Sequence, residues 1–349
     1  MLLSKYFEHK ILGLMYKNIQ NSRFSSIMRL IRWNNLVIIA ITQVAMRYLV
    51  MEPILSTMTF HLQMSGLTFG LLVFATVCIA AAGYVINDYF DIKADAINKP
   101  NRPLVGKKIS RRASIAIHFW LNAIGICAGL YVAYVVHVFS FSLIFPLAAG
   151  LLWFYSVSYK RQLLVGNILV AILTGIVPML VLVFELPLLN KAYFSDLLKL
   201  NLNFNVLVYW VGGFSFFGLI LTLIREIVKD MEDFEGDSVV GRNSLPLTFG
   251  IESSKWVVIL LSMFAVFALG YLFITRLMLL PDGAFDYFSF AYLLALVILP
   301  FLFMIYKLFV ARIKKDFAII SNLAKLIMLG GILYSVCFYY IVEYRILAF

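Results

Sequence analysis

Two short stretches hold the acidic residues best placed to do chemistry. "NDYFDIKAD" sets Asn87, Asp88, Asp91 and Asp95 within nine residues, and "REIVKDMEDFEGD" sets Glu226, Asp230, Glu232, Asp233, Glu235 and Asp237 behind Arg225. Together they carry half of the 18 Asp and Glu in the chain. On a helix, Asn87, Asp91 and Asp95 recur at i, i+4 and i+8 and share a face. Glu226, Asp230, Asp233 and Asp237 recur at i, i+4, i+7 and i+11, and line one face if the helix continues through Gly236. Like charges at this spacing repel, so positive charge must compensate. One source is the nearby Arg225, Lys229, Lys93 and Lys99, which would make an ordinary solvated loop. The other is Mg2+, which takes a few carboxylates and fills its remaining positions with water and substrate phosphate. A lone DxxxD favours the loop. Two such clusters on matching helix ends favour carboxylates that face each other and hold a diphosphate through metal, with basic residues on the remaining phosphate oxygens.

A third stretch, "WFYSVSYKRQLLVGN", offers Lys160 as a phosphate ligand and Tyr155 and Tyr159 as hydrogen-bond donors or as rings facing a cation. Taken alone it also fits an aromatic interface belt with snorkelling basic side chains.

The elements that must position these residues are membrane helices. The 349 residues are 63% hydrophobic with a mean hydropathy of +0.94. Soluble domains sit nearer half apolar, and uninterrupted apolar runs of about 18 residues or more are spanning candidates. Nine such runs are predicted, at roughly 33–51, 67–89, 113–136, 138–157, 163–185, 205–228, 255–276, 287–309 and 319–342. They form continuous runs without the alternation of a β-barrel. Sorting the 29 Lys and Arg by this plan puts 24 on the side of the N-terminus and five (Arg47, Lys191, Lys199, Arg276 and Arg345) on the other. The positive-inside bias then makes the N-terminal side cytoplasmic. Both acidic clusters face it, at the ends of spans two and six. That four-span offset suggests two related four-helix halves plus one helix. Residues 1–25 are expected to be an N-terminal cytoplasmic segment, and 26–349 one transmembrane domain.

The net charge of +11 is assigned to loops lying on an anionic leaflet and not to nucleic-acid binding. Cys78, Cys127 and Cys337 fall inside apolar runs with no metal or disulfide spacing. The four histidines are scattered, which disfavours a His metal site.

The motifs resemble those of the UbiA superfamily of intramembrane prenyltransferases. "NDYFDIKAD" followed by "NKPNRPL" looks like its NDxxDxxxD motif, "DFEGD" like its second DxxxD, and "YSVSYK" like its YxxxK with the lysine one residue late. The longer "REIVKDMEDFEGD" is more similar to the digeranylgeranylglyceryl phosphate synthase branch. The resemblance implies Mg2+-dependent transfer of a prenyl group from a prenyl diphosphate to a lipophilic acceptor. The first expectation for that acceptor is a geranylgeranylglyceryl phosphate-type ether lipid precursor, and the second an aromatic quinone precursor. It implies Asp88, Asp91, Asp95, Asp233 and Asp237 as metal ligands. Asn87 would hydrogen-bond diphosphate or metal-bound water, and Arg32, Arg102 and Lys160 would bind phosphate. Tyr155 or Tyr159 would shield the allylic cation. Glu226 and Asp230 would add metal ligands, orient the acceptor or take its proton. A multi-pass protein of a bacterial inner membrane or an archaeal membrane is expected, with its active site on the cytoplasmic side. The rival from another class is an ion transporter that uses the acidic clusters as its path.

Overall fold

The computed structural model describes residues 23–98, 104–278 and 283–347, with side chains as far as Glu343. The expected segment 1–25 lies outside these residues except for its last three, which open a short helix, Arg23–Leu30. Among the described residues, nine helices are long and apolar enough to cross a membrane. They are Trp33–Thr57, Gly66–Phe90, Arg111–Val135, Phe139–Val157, Val165–Ala192, Asn205–Glu232, Ile251–Leu277, Tyr287–Val310 and Lys314–Glu343. The protein is an all-α multi-pass integral membrane protein.

Local chemistry sets several boundaries. The Ser65 hydroxyl accepts from the Thr68 amide at 3.1 Å, and Ser110 accepts from Ala113 at 3.1 Å, so spans two and three begin on side-chain caps. Spans three and four are separated at His137, whose φ of 61° reverses the chain. Outward faces carry rings such as Phe119, Trp120 and Phe267, as expected where lipid is the solvent.

Close approach of helices depends on small residues, which matter most where burying apolar surface gives little drive. Span two packs along span three, and a β-carbon at Gly125 would meet the Ala75 carbonyl at 3.1 Å. Span five packs along span six, and a β-carbon at Gly175 would meet the Ser215 carbonyl at 3.1 Å. Each acidic helix thus has one glycine-mediated neighbour in its own part of the bundle. Span six also packs against spans seven and nine.

The continuous helical faces expected through both clusters need correction. Span two ends at Phe90, Asp91 takes φ −89° and ψ 6°, and a short helix runs Ile92–Asn98. Span six ends at Glu232, Asp233 takes φ −94° and ψ 11°, and a short helix runs Phe234–Val239 through Gly236. In both, i→i+4 bonds still cross the break: Asp91 N to Asn87 O at 3.0 Å, and Asp233 N to Lys229 O at 2.8 Å. The change in ψ turns the chain without losing the hydrogen bond, and the two short helices pack against each other.

At the opposite end, Arg47 and Glu185 form a buried pair, 3.4 Å apart. The Gln63 and Met64 amides donate to Glu185, and Arg47 donates to the Met64 carbonyl, so the loop after span one is folded onto the bundle.

A β-carbon at Gly129 would collide with the buried ring of Phe145. Gly129→Ala should therefore cost about 1–3 kcal/mol by overpacking, read as a lowered thermal unfolding midpoint in detergent, whereas Gly150→Ala, inside a helix where a β-carbon meets nothing, should hold or slightly raise the midpoint.

Candidate active site

The two breaks turn Asp91 and Asp237 towards each other. Between them lies Arg242, five residues beyond Asp237 in the loop that follows. One end of its guanidinium donates to Asp237 Oδ1 at 2.8 Å and the other to Asp91 Oδ1. Two segments about 150 residues apart in sequence thus share one cation.

Other cations close round the same carboxylates. Lys160 Nζ lies 2.6 Å from Asp91 Oδ1 and 3.4 Å from Asn87 Oδ1. Its position depends on Gly166 at the start of span five, where a β-carbon would stand 2.8 Å from the Lys160 Cα and 3.1 Å from the Tyr155 ring. The Asn243 amide donates to the Arg161 carbonyl at 3.1 Å and ties this loop to the one carrying Arg242. Arg32 sits at the head of span one with φ 53°, an uncommon backbone state for a non-glycine residue. Its guanidinium pairs with Asp88 at 2.8 Å and lies over the Tyr84 ring, 4.9 Å from the centroid.

The electrostatics follow from this crowding. Burial pushes the Asp237 carboxyl up to about 6; Arg242 pulls it down, while Asp233 and Asp91 push it further up. Burial lowers Lys160, against the pull of Asp91. For Arg242 burial opposes the charge, but Asp91 and Asp237 outweigh it and hold the guanidinium above its ordinary range.

Of the residues singled out from sequence, Asn87, Asp91, Lys160 and Asp237 meet directly or through Arg242. Asp88 lies one residue round the helix and meets Arg32. Asp233 and Asp95 sit on the two breaks or just beyond them, and the Asp95 amide donates to the Asp91 carbonyl at 2.8 Å. Asp230 accepts from Asn167 of span five at 2.7 Å, and Glu226 accepts from Arg225 at 2.7 Å. Of the two tyrosines, Tyr155 lies within reach of the charges of Glu226, Asp91, Asp230 and Arg242. Tyr159 packs on Phe154, with ring centroids 6.2 Å apart. Arg102 lies outside the described residues.

Three contributors are absent from the sequence-based set. Arg242 was marked only by its place behind the second acidic run. Asn167 was marked only by its place after the lysine motif. Asn98 clamps the two short helices: its Nδ2 donates to the Asp233 carbonyl at 3.3 Å, and its Oδ1 accepts from the Gly236 amide at 3.1 Å.

Among the described residues, no three His, Cys, Asp or Glu side chains converge as a self-sufficient metal site. The donor set is nevertheless that of a hard cation completed by a ligand. Asp91 and Asp237 are carboxylates from two segments already bridged by one positive group, and Mg2+ characteristically takes one or two carboxylates and leaves the rest to phosphate and water.

Residues 53–327, more than three quarters of the chain, match the model of the UbiA prenyltransferase family. The chain belongs to that family. It is 33% identical over 200 residues to the digeranylgeranylglyceryl phosphate synthase of Thermococcus sibiricus, covering 57% of this chain and 62% of that relative's length. A solved digeranylgeranylglyceryl phosphate synthase structure superposes with a TM-score of 0.58 at 25% identity, over 90% of this chain and 99% of that one. A UbiA homologue from Archaeoglobus fulgidus, solved with GPP and Mg2+ bound, shares the fold with a TM-score of 0.53 at 16% identity, over 90% of this chain and all of that one. The UbiA fold thus extends over 90% of this chain.

Because Asn98 makes two hydrogen bonds to the second acidic segment, Asn98→Ala should cost about 1–3 kcal/mol. The distinguishing readout is hydrogen exchange, which should speed up at the Gly236 amide and the rest of 234–239 while span two remains protected.

Proposed function

We propose that this chain transfers a prenyl group from a prenyl diphosphate to the hydroxyl of a glyceryl phosphate ether, in a Mg2+-dependent reaction on the cytoplasmic side of the membrane. The observation that carries it is the Asp91–Arg242–Asp237 bridge flanked by Lys160 and Arg32. It gathers carboxylates and cations from both motif segments at one end of the bundle. The relatives named for this activity support the acceptor class, and the excess of basic residues on the same side supports the orientation.

In this scheme Asp91 and Asp237 would hold the metal, with Asp88, Asp95 and Asp233 at hand on the same two segments. When bound, Mg2+ supplies positive charge to offset that developing on the departing diphosphate. Lys160, Arg242 and Arg32 bind phosphate oxygens, and Asn87 orients Lys160. The C1–O bond of the donor breaks, and its electron pair leaves with the diphosphate. Tyr155 presents an aromatic face to the allylic carbon and keeps water from it. The acceptor oxygen forms the new ether bond to C1, and its proton passes to Asp230, one of whose oxygens is already held by Asn167. The prenyl tail stays among the helices, where each buried CH2 contributes about 0.8 kcal/mol; that is the advantage of placing this chemistry in a membrane.

Purified protein given labelled geranylgeranyl diphosphate should form product with geranylgeranylglyceryl phosphate. Product with a hydroxynaphthoate alone would reassign the acceptor. Chelation with EDTA should abolish transfer, and Mg2+ should restore it. Asp91→Asn and Asp237→Asn should each reduce kcat by about 10²–10³, the usual loss when transition-state charge stabilisation is removed; full rates in both variants would remove the bridge from the mechanism.

A further inference from the structure

The acid-rich end leaves one group of charges unused. Arg225 lies on span six and Lys325 on span nine, two helices that pack together. Their charges converge with those of Arg32 and Lys229 on a single carboxylate, Glu226. Lys325 is reached in turn by Arg225, Arg32 and Glu226. Arg32 is already paired with Asp88, and Arg225 spends one guanidinium nitrogen on Glu226. Lys325 brings a further positive charge beside this pair.

Two further observations mark this group as a place for a ligand. Arg225 is largely buried, its side chain 15% accessible, and its Nε has no hydrogen-bond acceptor. A buried donor left unmade is costly, and such exceptions call for an explanation. Lys325 stands eleven residues into a span that begins at Lys314, about 16 Å along the helix at 1.5 Å per residue. Among the described residues it has no carboxylate within ion-pair distance. An ionisable side chain that far inside a membrane helix marks a functional site by default.

We infer that Arg225 and Lys325 form a second anion site, separate from the diphosphate site of Lys160 and Arg242, and that it binds the phosphate monoester of the acceptor. The ordering along span six supports this. Asp230, the proton acceptor, lies one turn beyond Glu226 on the same face of the helix, and Arg225 is held to Glu226 at 2.7 Å. A glyceryl phosphate carries its hydroxyl and its phosphate on neighbouring carbons, so a phosphate on Arg225 and Lys325 presents the hydroxyl towards Asp230. Glu226, held by Arg225, sets a carboxylate beside this site and discourages a doubly charged diphosphate from settling there. The site selects acceptors that bear a phosphate over neutral or purely aromatic ones. This rests on the glyceryl phosphate acceptor proposed above.

The test is a set of steady-state measurements on purified protein in nanodiscs. Lys325→Gln should raise KM for geranylgeranylglyceryl phosphate at least tenfold and leave KM for geranylgeranyl diphosphate within twofold, and Lys325→Arg should restore most of the loss. Geranylgeranylglycerol, which lacks the phosphate, should be a poor acceptor for the wild type and no poorer for Lys325→Gln. An unchanged acceptor KM, or an increase in the donor KM instead, overturns the inference. A binding arm needs no turnover: geranylgeranylglyceryl phosphate should raise the thermal midpoint of the wild type and not that of Lys325→Gln. If dioleoyl phosphatidic acid protects equally but does not compete with the acceptor, the site belongs to bilayer lipid and the inference falls. Turnover of wild-type protein with naphthoate only, together with Lys325-dependent protection by glyceryl phosphate, would sink the proposed function and leave the anion site standing.

Discussion

Everything at the acid-rich end depends on neutralising carboxylates that the fold forces together where water is scarce. Arg242 does this by lying between Asp91 and Asp237, with Lys160 on the same Asp91 oxygen. Charge-assisted bonds of this kind are stronger than neutral ones, and this arrangement joins parts of the chain that are remote in sequence. The other contacts support it. Asn98 holds the short helices side by side, Gly166 lets the lysine loop pass under span five, and the Asn243–Arg161 bond ties the two loops together.

The far end of the bundle uses similar residues for a different purpose. Arg47 and Glu185 are a buried pair, and Glu185 also accepts two backbone amides from the returning loop. There the charges are consumed by the protein itself. At the acid-rich end Arg225 keeps a buried Nε without an acceptor beside Glu226. That juxtaposition of acid and base suits the proposed reaction, in which two anionic substrates meet and the acceptor's proton passes to Asp230. Breaking a buried pair by removing one partner is strongly destabilising, which is why the far-end pair serves as a fastening and the near-end groups can serve as ligands.

Much was legible from one sequence because the membrane imposes a strict length and polarity on each helix. All nine spans were recognisable, with ends displaced by up to seven residues, and the acidic runs stood out against an apolar background. The 24-to-five division of basic residues ordered the loops. Periodicity alone could not reveal that both helices turn at their middle acid, because Asp91 and Asp233 keep the i→i+4 hydrogen bond while shifting ψ. Nor could it separate Tyr155 from Tyr159, since that depends on which side of span four faces Glu226 and Asp230. Arg242, Asn98 and Asn167 belong to residue types common in loops and helix ends, and only the meeting of distant segments gives them partners. Local sequence thus determined which segments cross the bilayer and where charge accumulates. Tertiary structure decided which charges touch, because ion pairs and hydrogen bonds act over a few ångströms between residues that the chain itself holds far apart.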